Sequence, residues 1–138
     1  MPVSTLPQTL NSLVLRTDFS DDAAWHAVCA ASSAPSPEGF AAGLSFVSEL
    51  RFAGLTIEEV MALAGSPRRS FVFVVDGVTV RDSEMPILVI DLLREPGRWF
   101  RVVPARMWSV ENNLSLANMD FANFADNVDP DGTFRGFG

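Results

Sequence analysis

The sequence predicts a single α/β domain in which helices pack on a mixed sheet of about five strands, with α+β as the alternative class. Short apolar runs of strand length recur through the first two thirds of the 138-residue chain. Amphipathic helical segments separate the first three runs, and a short turn joins later ones. Residues 1–11 contain two prolines and no periodic pattern. They are expected to form a flexible arm that precedes one globular domain at 12–138.

The first strand is predicted at 12–17, where the sequence SLVLRT is mostly apolar. Ser20 is the expected N-cap of the next helix, because Asp21 and Asp22 would then lie in its first turn and favour the helix dipole. A loop rich in proline and serine follows, and a second short strand is predicted at 44–48.

A capping-box pattern marks the second helix. Thr56 and Glu59 have the required spacing, which predicts a helix at about 57–64 that the sequence at 65–67 ends. The run FVFVV at 71–75 lacks polar alternation and is expected to be a strand buried on both faces. This βαβαβ order predicts right-handed crossovers and parallel pairing.

Two interpretations of Asp76-Gly77 stay open. The pair either forms a two-residue hairpin with a strand at 78–80, or ends a central strand where the chain leaves the sheet. The run at 87–92 is the next core strand. The turn at 95–97 makes the strand at 98–103 its antiparallel partner, and the alternation in that strand predicts a peripheral position.

The C-terminal third is predicted to be mainly helical. One helix is expected at 108–117 with Ser109 as its cap, and a short amphipathic one at 119–127. The end of the chain, 129–138, reads as a turn followed by an extended tail. Its two phenylalanines are expected to pack back onto the domain, since loose aromatic side chains at a solvated end would be unusual.

Composition excludes several chemistries. All ten basic residues are arginine, against seventeen acidic residues, for a net charge of −7 with neither lysine nor tyrosine. Schiff-base chemistry, a P-loop lysine and tyrosine acid–base roles are therefore absent. The single histidine, His26, and the single cysteine, Cys29, exclude an intramolecular disulfide and a metal site built from several such residues. No cofactor is predicted.

The same features indicate the compartment and the partners. An acidic balance argues against sequence-independent nucleic-acid binding, and no segment approaches the roughly 20 apolar residues of a membrane span. Residues 1–15 lack the basic start and continuous apolar core of a secretory signal. A lone cysteine fits a reducing interior. We therefore expect a cytoplasmic chain whose partner is a protein, basic in charge, or a second copy of itself.

Three carboxylates are candidates for a polar site. Asp18, Asp76 and Asp91 lie at or near predicted strand ends, and ligands of open α/β sheets bind beyond the carboxyl ends of strands. If the strands of Asp18 and Asp76 are parallel, those two could converge, with Asp21 or Asp22 beside them, and carboxylates clustered in this way could hold Mg²⁺. The alternative gives each a structural duty: a helix start, a turn, or an ion pair with a neighbouring arginine.

The middle of the chain, 67–106, has seven arginines against five acids. This excess either flanks a solvated edge strand or contacts an anion or partner, for which the planar guanidinium is suited. The candidate contact residues are Arg94, Arg98, Arg101 and Arg106.

A weaker candidate metal site lies near the C-terminus. The stretch Asn127–Phe134 resembles the first eight positions of a calcium-binding EF-hand loop, with Asn127, Asp129 and Asp131 as ligands. The twelfth position, normally a bidentate glutamate, is Gly138. An Asp/Pro/Gly turn is the alternative.

The blocks LVLRTDFSDDAAW, PILVIDL, NLSLANMDFANFAD and GTFRGF resemble a family of small acidic bacterial proteins known only as a domain of unknown function. The resemblance extends over Leu13–Phe137. It implies a bacterial, stand-alone, single-domain protein and brings no catalytic residues. The polar members of 118–121 are expected to cap helix ends or hold the arm. The signature blocks single out Arg16, Asp18, Asn118, Asp120 and Phe121.

Two functions follow as hypotheses. The first is a non-catalytic binding module, such as an immunity or antitoxin-like inhibitor or an accessory protein, that uses its acidic surface to mask a basic partner. The second is a divalent-metal-assisted hydrolase that uses the three strand-end aspartates.

Overall fold

The fold is described from a computed structural model for residues 5–64 and 69–137. Its strands are β1 (Ser12–Arg16), β2 (Leu44–Val47), β3 (Phe71–Val75), β4 (Ile87–Asp91), β5 (Trp99–Val102) and β6 (Thr133–Phe134). Its helices are α1 (Asp22–Ser33), α2 (Ile57–Ala64), α3 (Gly77–Arg81), α4 (Met107–Ser115) and α5 (Phe121–Ala125), with single 3-10 turns at Leu50–Phe52 and Pro104–Arg106.

All six strands form one mixed sheet in the order β2-β1-β3-β4-β5-β6. The first three run parallel, β4 is antiparallel to β3 and β5 to β4, and β6 is parallel to β5. The α/β class and the mixed sheet are confirmed, but the sheet has six strands rather than five. The extra strand consists of two residues of the tail that pair with Arg101 and Val102. A strand of two residues is too short to show a periodic pattern in the sequence.

The sheet is covered on both faces. Alternate residues of each strand point to opposite faces, so Val14 and Phe73 join one core with α1, α4 and α5, whereas Leu15 and Val74 join a smaller core with α2 and the first 3-10 turn. Because β2 and β3 flank β1 on opposite sides, two right-handed crossovers place α1 and α2 on opposite faces.

Part of the predicted arm is anchored to this second face. Leu6 is buried in the smaller core, and its backbone N–H donates to the Leu63 carbonyl at 2.9 Å. Arg69 donates to the Pro7 carbonyl at 2.6 Å. The arm therefore covers apolar surface that α2 alone would leave exposed.

The predicted start of α2 is confirmed, whereas the predicted N-cap of α1 is wrong by one residue. The predicted capping box at α2 is present: the Thr56 hydroxyl accepts from Glu59 N–H, and the Glu59 carboxylate accepts from Thr56 N–H. The predicted end of α2 at 65–67 lies outside the described residues. At α1 the N-cap is Asp21 rather than Ser20, because the Asp21 carboxylate accepts from Ala24 N–H at 3.0 Å.

Of the two interpretations of Asp76-Gly77, the second is correct. Asp76 ends β3 and caps α3, so residues 78–80 are helical instead of a hairpin strand. Thr79 closes the capping box, and its hydroxyl donates to the Pro86 carbonyl at 2.8 Å. The predicted turn at 95–97 does join β4 to β5 as an antiparallel pair, with Gly97 at φ +96°.

The C-terminal third is helical and packs on the first face. Helix α4 begins directly after the second 3-10 turn with Arg106 at its N-cap position, so Ser109 lies inside the helix and caps nothing. The two tail phenylalanines contact the domain as expected, although Phe137 stays 53% exposed. Phe134 is buried, and the Phe137 ring lies 5.4 Å from Phe124 and 4.9 Å from Phe134 between centroids. None of the helices within the described ranges is long and apolar enough to cross a membrane.

Candidate functional site

The carboxyl edge of the parallel strands brings two of the candidate aspartates together. Arg16 pairs with Val75 at the ends of β1 and β3. The backbone N–H groups of Thr17 and Asp18 both donate to the Val75 carbonyl, at 3.0 and 3.4 Å, and Asp76 follows Val75 directly. In open α/β sheets ligands bind beyond the carboxyl ends of the strands.

Arg16 is held in place at this edge. Its side chain is buried, donates to the Asp18 carbonyl at 3.0 Å and to the Asp22 carboxylate at 2.6 Å, and lies over the Phe19 ring at 4.4 Å. The hydrogen bond and charge of Arg16 lower the pKa of Asp22. This arginine joins the end of β1 to the start of α1 and has little guanidinium surface free for a ligand.

Asp18 forms a local turn. One of its carboxylate oxygens accepts from the N–H and the hydroxyl of Ser20, at 2.9 and 2.5 Å. The other lies 3.7 Å from the Arg81 guanidinium. These hydrogen bonds, with smaller help from the arginine charges, lower the pKa of Asp18, so its side chain is ionised at neutral pH.

Asp76 is bound by Arg101 from β5 through both oxygens, at 2.9 and 2.8 Å. Thr79 adds hydrogen bonds from its N–H and its hydroxyl. Burial raises the pKa of Asp76, but the hydrogen bonds and charge of Arg101, together with Thr79, outweigh burial and lower it. A shallow pocket of about 130 Å³ beside this pair is lined by the start of α2 at Ile57 and by Trp99.

Asp91 does not join the other two aspartates. It pairs with Phe71 at the start of β3, whereas Asp76 follows the end of β3, which separates them by about five residues, or roughly 16 Å along the strand. Its carboxylate accepts from the N–H groups of Leu93, Arg94 and Glu95 at 2.9, 3.2 and 2.9 Å. Asp91 therefore lies apart from Asp18 and Asp76, and its carboxylate stabilises a turn instead.

Within the described ranges, no three histidine, cysteine, aspartate or glutamate side chains lie close enough to hold a metal ion together. At the candidate calcium loop, Arg135 binds the carboxylates of Asp129 and Asp131 at 2.7 and 2.6 Å, and Asn127 donates to the Asn123 carbonyl. A guanidinium thus neutralises the predicted calcium ligands. Gly132, at φ +83°, closes the turn.

The four arginines of the middle segment are separated by the fold. Arg98 pairs with Glu95 and Asp126, and so joins β5 to the end of α5. Arg101 binds Asp76, and Arg106 donates to the Arg135 carbonyl at 3.2 Å. The Arg94 guanidinium is 3.9 Å from the Asp120 carboxylate, and both side chains are largely exposed. Arg98, Arg101 and Arg106 therefore each bind a residue from another segment of the chain.

The C-terminal signature residues have capping roles. Asn118 N–H donates to the Asn113 carbonyl at 2.9 Å beyond the end of α4. Asp120 is the N-cap of α5, and its N–H donates to the Asn123 side chain at 2.8 Å. Phe121 is buried against Phe100, with 4.9 Å between ring centroids.

The sequence analysis did not predict that so many acidic residues would cluster at the carboxyl edge of the sheet. Helices α1 and α2 both begin there, and so bring their first-turn acids to one edge; α3 also begins there, behind Asp76. The sequence did contain a signal for this cluster, since acidic residues flank the predicted helix starts. The acidic edge, as we call it, consists of Asp18, Asp21, Asp22, Glu49, Glu58, Glu59 and Asp76.

A protein-family model matches nearly the whole chain. The family model described as "Domain of unknown function (DUF6924)" matches residues 11–137. The chain belongs to the DUF6924 family. The match contains the whole sheet of the DUF6924 domain, every residue of the acidic edge, and nearly the same span as the resemblance expected at 13–137. No curated protein matches the chain at a significant level.

Proposed function

We propose that this DUF6924 domain is a non-catalytic binding module that docks a basic protein through the acidic edge. The observation that carries the proposal is the distribution of charge there. Five of its acids are exposed: Asp21, Asp22, Glu49, Glu58 and Glu59. Of the basic groups at the same edge, Arg16 and Arg101 are turned inward, and only Arg51 and Arg81 among the described arginines are exposed there.

The hydrogen bonding keeps the edge negative. The lowered pKa values of Asp18, Asp22 and Asp76 mean that all three are charged at neutral pH. Glu58 and Glu59 are exposed, and no arginine among the described residues lies within ion-pair distance of either. Arg51 and Arg81 offset part of this charge, but acids outnumber the exposed arginines at the edge. A predominantly negative surface raises the rate at which an oppositely charged partner docks and helps to orient it.

Two exposed apolar side chains lie among these charges. Leu50, in the turn after β2, is 74% exposed, and Val78, in α3, is 46% exposed. In protein interfaces a few apolar contacts surrounded by polar groups supply most of the binding energy. The edge therefore offers affinity as well as electrostatic orientation.

The carboxylates of the edge are poorly suited to proton transfer. A general acid works best with a pKa near the operating pH, whereas the pKa values of Asp18 and Asp76 are lowered. Each also has a local partner, Ser20 or Arg101, that holds it in one position. This favours recognition over catalysis.

The partner is expected to be a different protein. Two copies of the acidic edge would place like charges opposite one another, which disfavours a homodimer through this surface. An immunity or antitoxin-like inhibitor, or an accessory protein, would use the edge to cover a basic surface. The proposed compartment is the cytoplasm of a bacterium.

The test measures binding between purified proteins. A partner captured from the source cell is identified, purified and titrated against the domain at two salt concentrations. We expect Glu58→Lys to slow association and Leu50→Ala to speed dissociation. Glu38→Lys is the matched control, because Glu38 is exposed in the loop before β2, at the opposite edge of the sheet.

Two outcomes would overturn the proposal. One is binding that is insensitive to salt and to Glu58→Lys. The other is equal weakening by Glu38→Lys, which would mean that net charge acts rather than this edge.

The alternative, a metal-assisted hydrolase, now has only Asp18 and Asp76 of its three aspartates at one edge. It predicts that Mg²⁺ or Mn²⁺ raises the melting temperature by linkage and that Asp18→Asn removes the rise. The binding module predicts no such pattern.

A further inference from the structure

We propose that the opposite edge of the sheet holds a binding cleft for a small carboxylate with an apolar body. Two pockets of about 480 and 210 Å³ adjoin there and share Ser70, Phe71 and Ser115 in their walls. Together they fall within the roughly 300–1,000 Å³ typical of small-molecule sites. This inference is independent of the proposed docking of a partner at the acidic edge.

The smaller pocket supplies an apolar surface. Phe71, Leu114, Met119 and Phe121 line it. The rim also carries exposed leucines: Leu93 is 55% exposed beside the smaller pocket, and Leu116 is 69% exposed beside the larger one. A ligand body seated here would remove this apolar surface from water.

Arg69 supplies a positive charge in the larger pocket. Its side chain is half-buried and donates to the Pro7 carbonyl, and no described carboxylate lies within ion-pair distance of it. Burial lowers the pKa of Arg69, a sign that its charge is incompletely compensated. A bound anion would provide the compensation, since a guanidinium binds carboxylates through two parallel hydrogen bonds.

Arg94 supplies a second charge at the mouth of the smaller pocket. Its guanidinium is 3.9 Å from the Asp120 carboxylate, too far for a hydrogen bond. The side chain is largely exposed and is free to turn toward a ligand. Each of the two adjoining pockets is thus lined by one arginine, the larger by Arg69 and the smaller by Arg94.

The acids of the cleft favour a ligand with one negative charge. Glu111 faces the larger pocket, and its carboxylate accepts from the Ser12 hydroxyl and the Gly43 N–H, both at 2.7 Å. Asp120 and Asp91 line the smaller pocket, where Asp91 accepts three backbone N–H groups. Three carboxyl groups around the cleft disfavour a phosphate, which carries about −1.5 to −2 at neutral pH. A carboxylate carries one charge and fits the planar guanidinium.

The experiment compares three probes with the same body. 3-Phenylpropionate, 3-phenylpropanol and 3-phenylpropylamine share a phenylethyl body, and their polar ends are negative, neutral and positive at neutral pH. The proposal expects the carboxylate to raise the melting temperature of the full chain and to bind about tenfold more tightly than the alcohol, as a charge-assisted hydrogen bond would give. The amine is expected to bind most weakly.

Variants locate the site. Arg94→Gln is exposed and should fold, and it should weaken binding of the carboxylate several-fold. Leu93→Asp places a negative charge at the rim, so it should weaken the carboxylate and strengthen the amine. Leu50→Asp at the acidic edge is the matched control and should change neither. Arg69→Gln should give the largest loss, about tenfold, with its fold checked by circular dichroism because Arg69 also holds Pro7.

The proposal is overturned by any of three results: no binding of 3-phenylpropionate at millimolar concentration, equal affinity for the three probes, or Leu93→Asp and Leu50→Asp acting alike. None of these results bears on the partner at the acidic edge, since the two sites lie at opposite ends of the strands.

Discussion

Arg101 binds both carboxylate oxygens of Asp76, at 2.9 and 2.8 Å, and so ties the penultimate strand of the sheet to the residue where β3 ends and α3 begins. Both side chains are mostly buried, and Asp76 also caps α3. The pair therefore joins a helix start to a strand 25 residues later in the chain.

Breaking this pair from one side should be costly. Arg101→Met leaves the Asp76 charge partly buried without its partner and is expected to lower the free energy of unfolding by about 2–3 kcal/mol. The double variant Asp76→Asn/Arg101→Met should lose less than the two single losses combined, because no charge is left unpaired and asparagine still caps a helix. Urea unfolding measures these values. Arg51→Met, at an exposed pair with Glu49, is the control and should cost under about 1 kcal/mol.

Acid should destabilise the fold through the same aspartate. The pKa of Asp76 in the folded state is lowered below its unfolded value of 3.8. Its contribution is therefore fully present above that unfolded pKa and is lost as the pH falls through the folded pKa. The free energy of unfolding should decline below about pH 4. In Asp76→Asn the decline should be shallower, and an unchanged slope in that variant would contradict the assignment.

Ala117 occupies a backbone position that glycine prefers. It follows the end of α4 at φ +57°, and the next residue, Asn118, donates to the Asn113 carbonyl as in a Schellman motif. Ala117→Gly should therefore raise the free energy of unfolding by roughly 0.5–1 kcal/mol. Ala62→Gly, at an exposed position inside α2, should lower it by a similar amount. Loss of stability in both variants would argue against the backbone conformation at Ala117.

Cys29 should be a slow nucleophile. Burial raises the pKa of its thiol to about 11, and the thiolate is the reactive form. Alkylation by iodoacetamide at pH 8 is expected to be much slower in the folded chain than in urea, where the pKa returns to its ordinary range. Equal rates in the two conditions would show that the thiol is accessible in the fold.

Patterns confined to a few neighbouring residues were read correctly from the sequence. The capping box of Thr56 and Glu59, the apolar run 71–75 and the turn at 95–97 all formed where they were predicted. Each depends on contacts within one element or one turn, so the residue types and spacing carry the whole signal. The parallel order of β1, β2 and β3 followed from the helices between them.

The tertiary structure determines which charged side chains form ion pairs. The partners of Arg101 and Arg135 include Asp76 and Glu84, 25 and 51 residues away along the chain, and no local pattern relates such positions. The separation of Asp91 from Asp76 likewise depends on β4 running antiparallel to β3. A composition that is acidic and free of lysine established which chemistries are absent. Only the folding of β1, β2 and β3 side by side gathered the helix-start acids at one edge and left Arg69 at the other, because strand direction determines the end of the sheet at which each side chain lies.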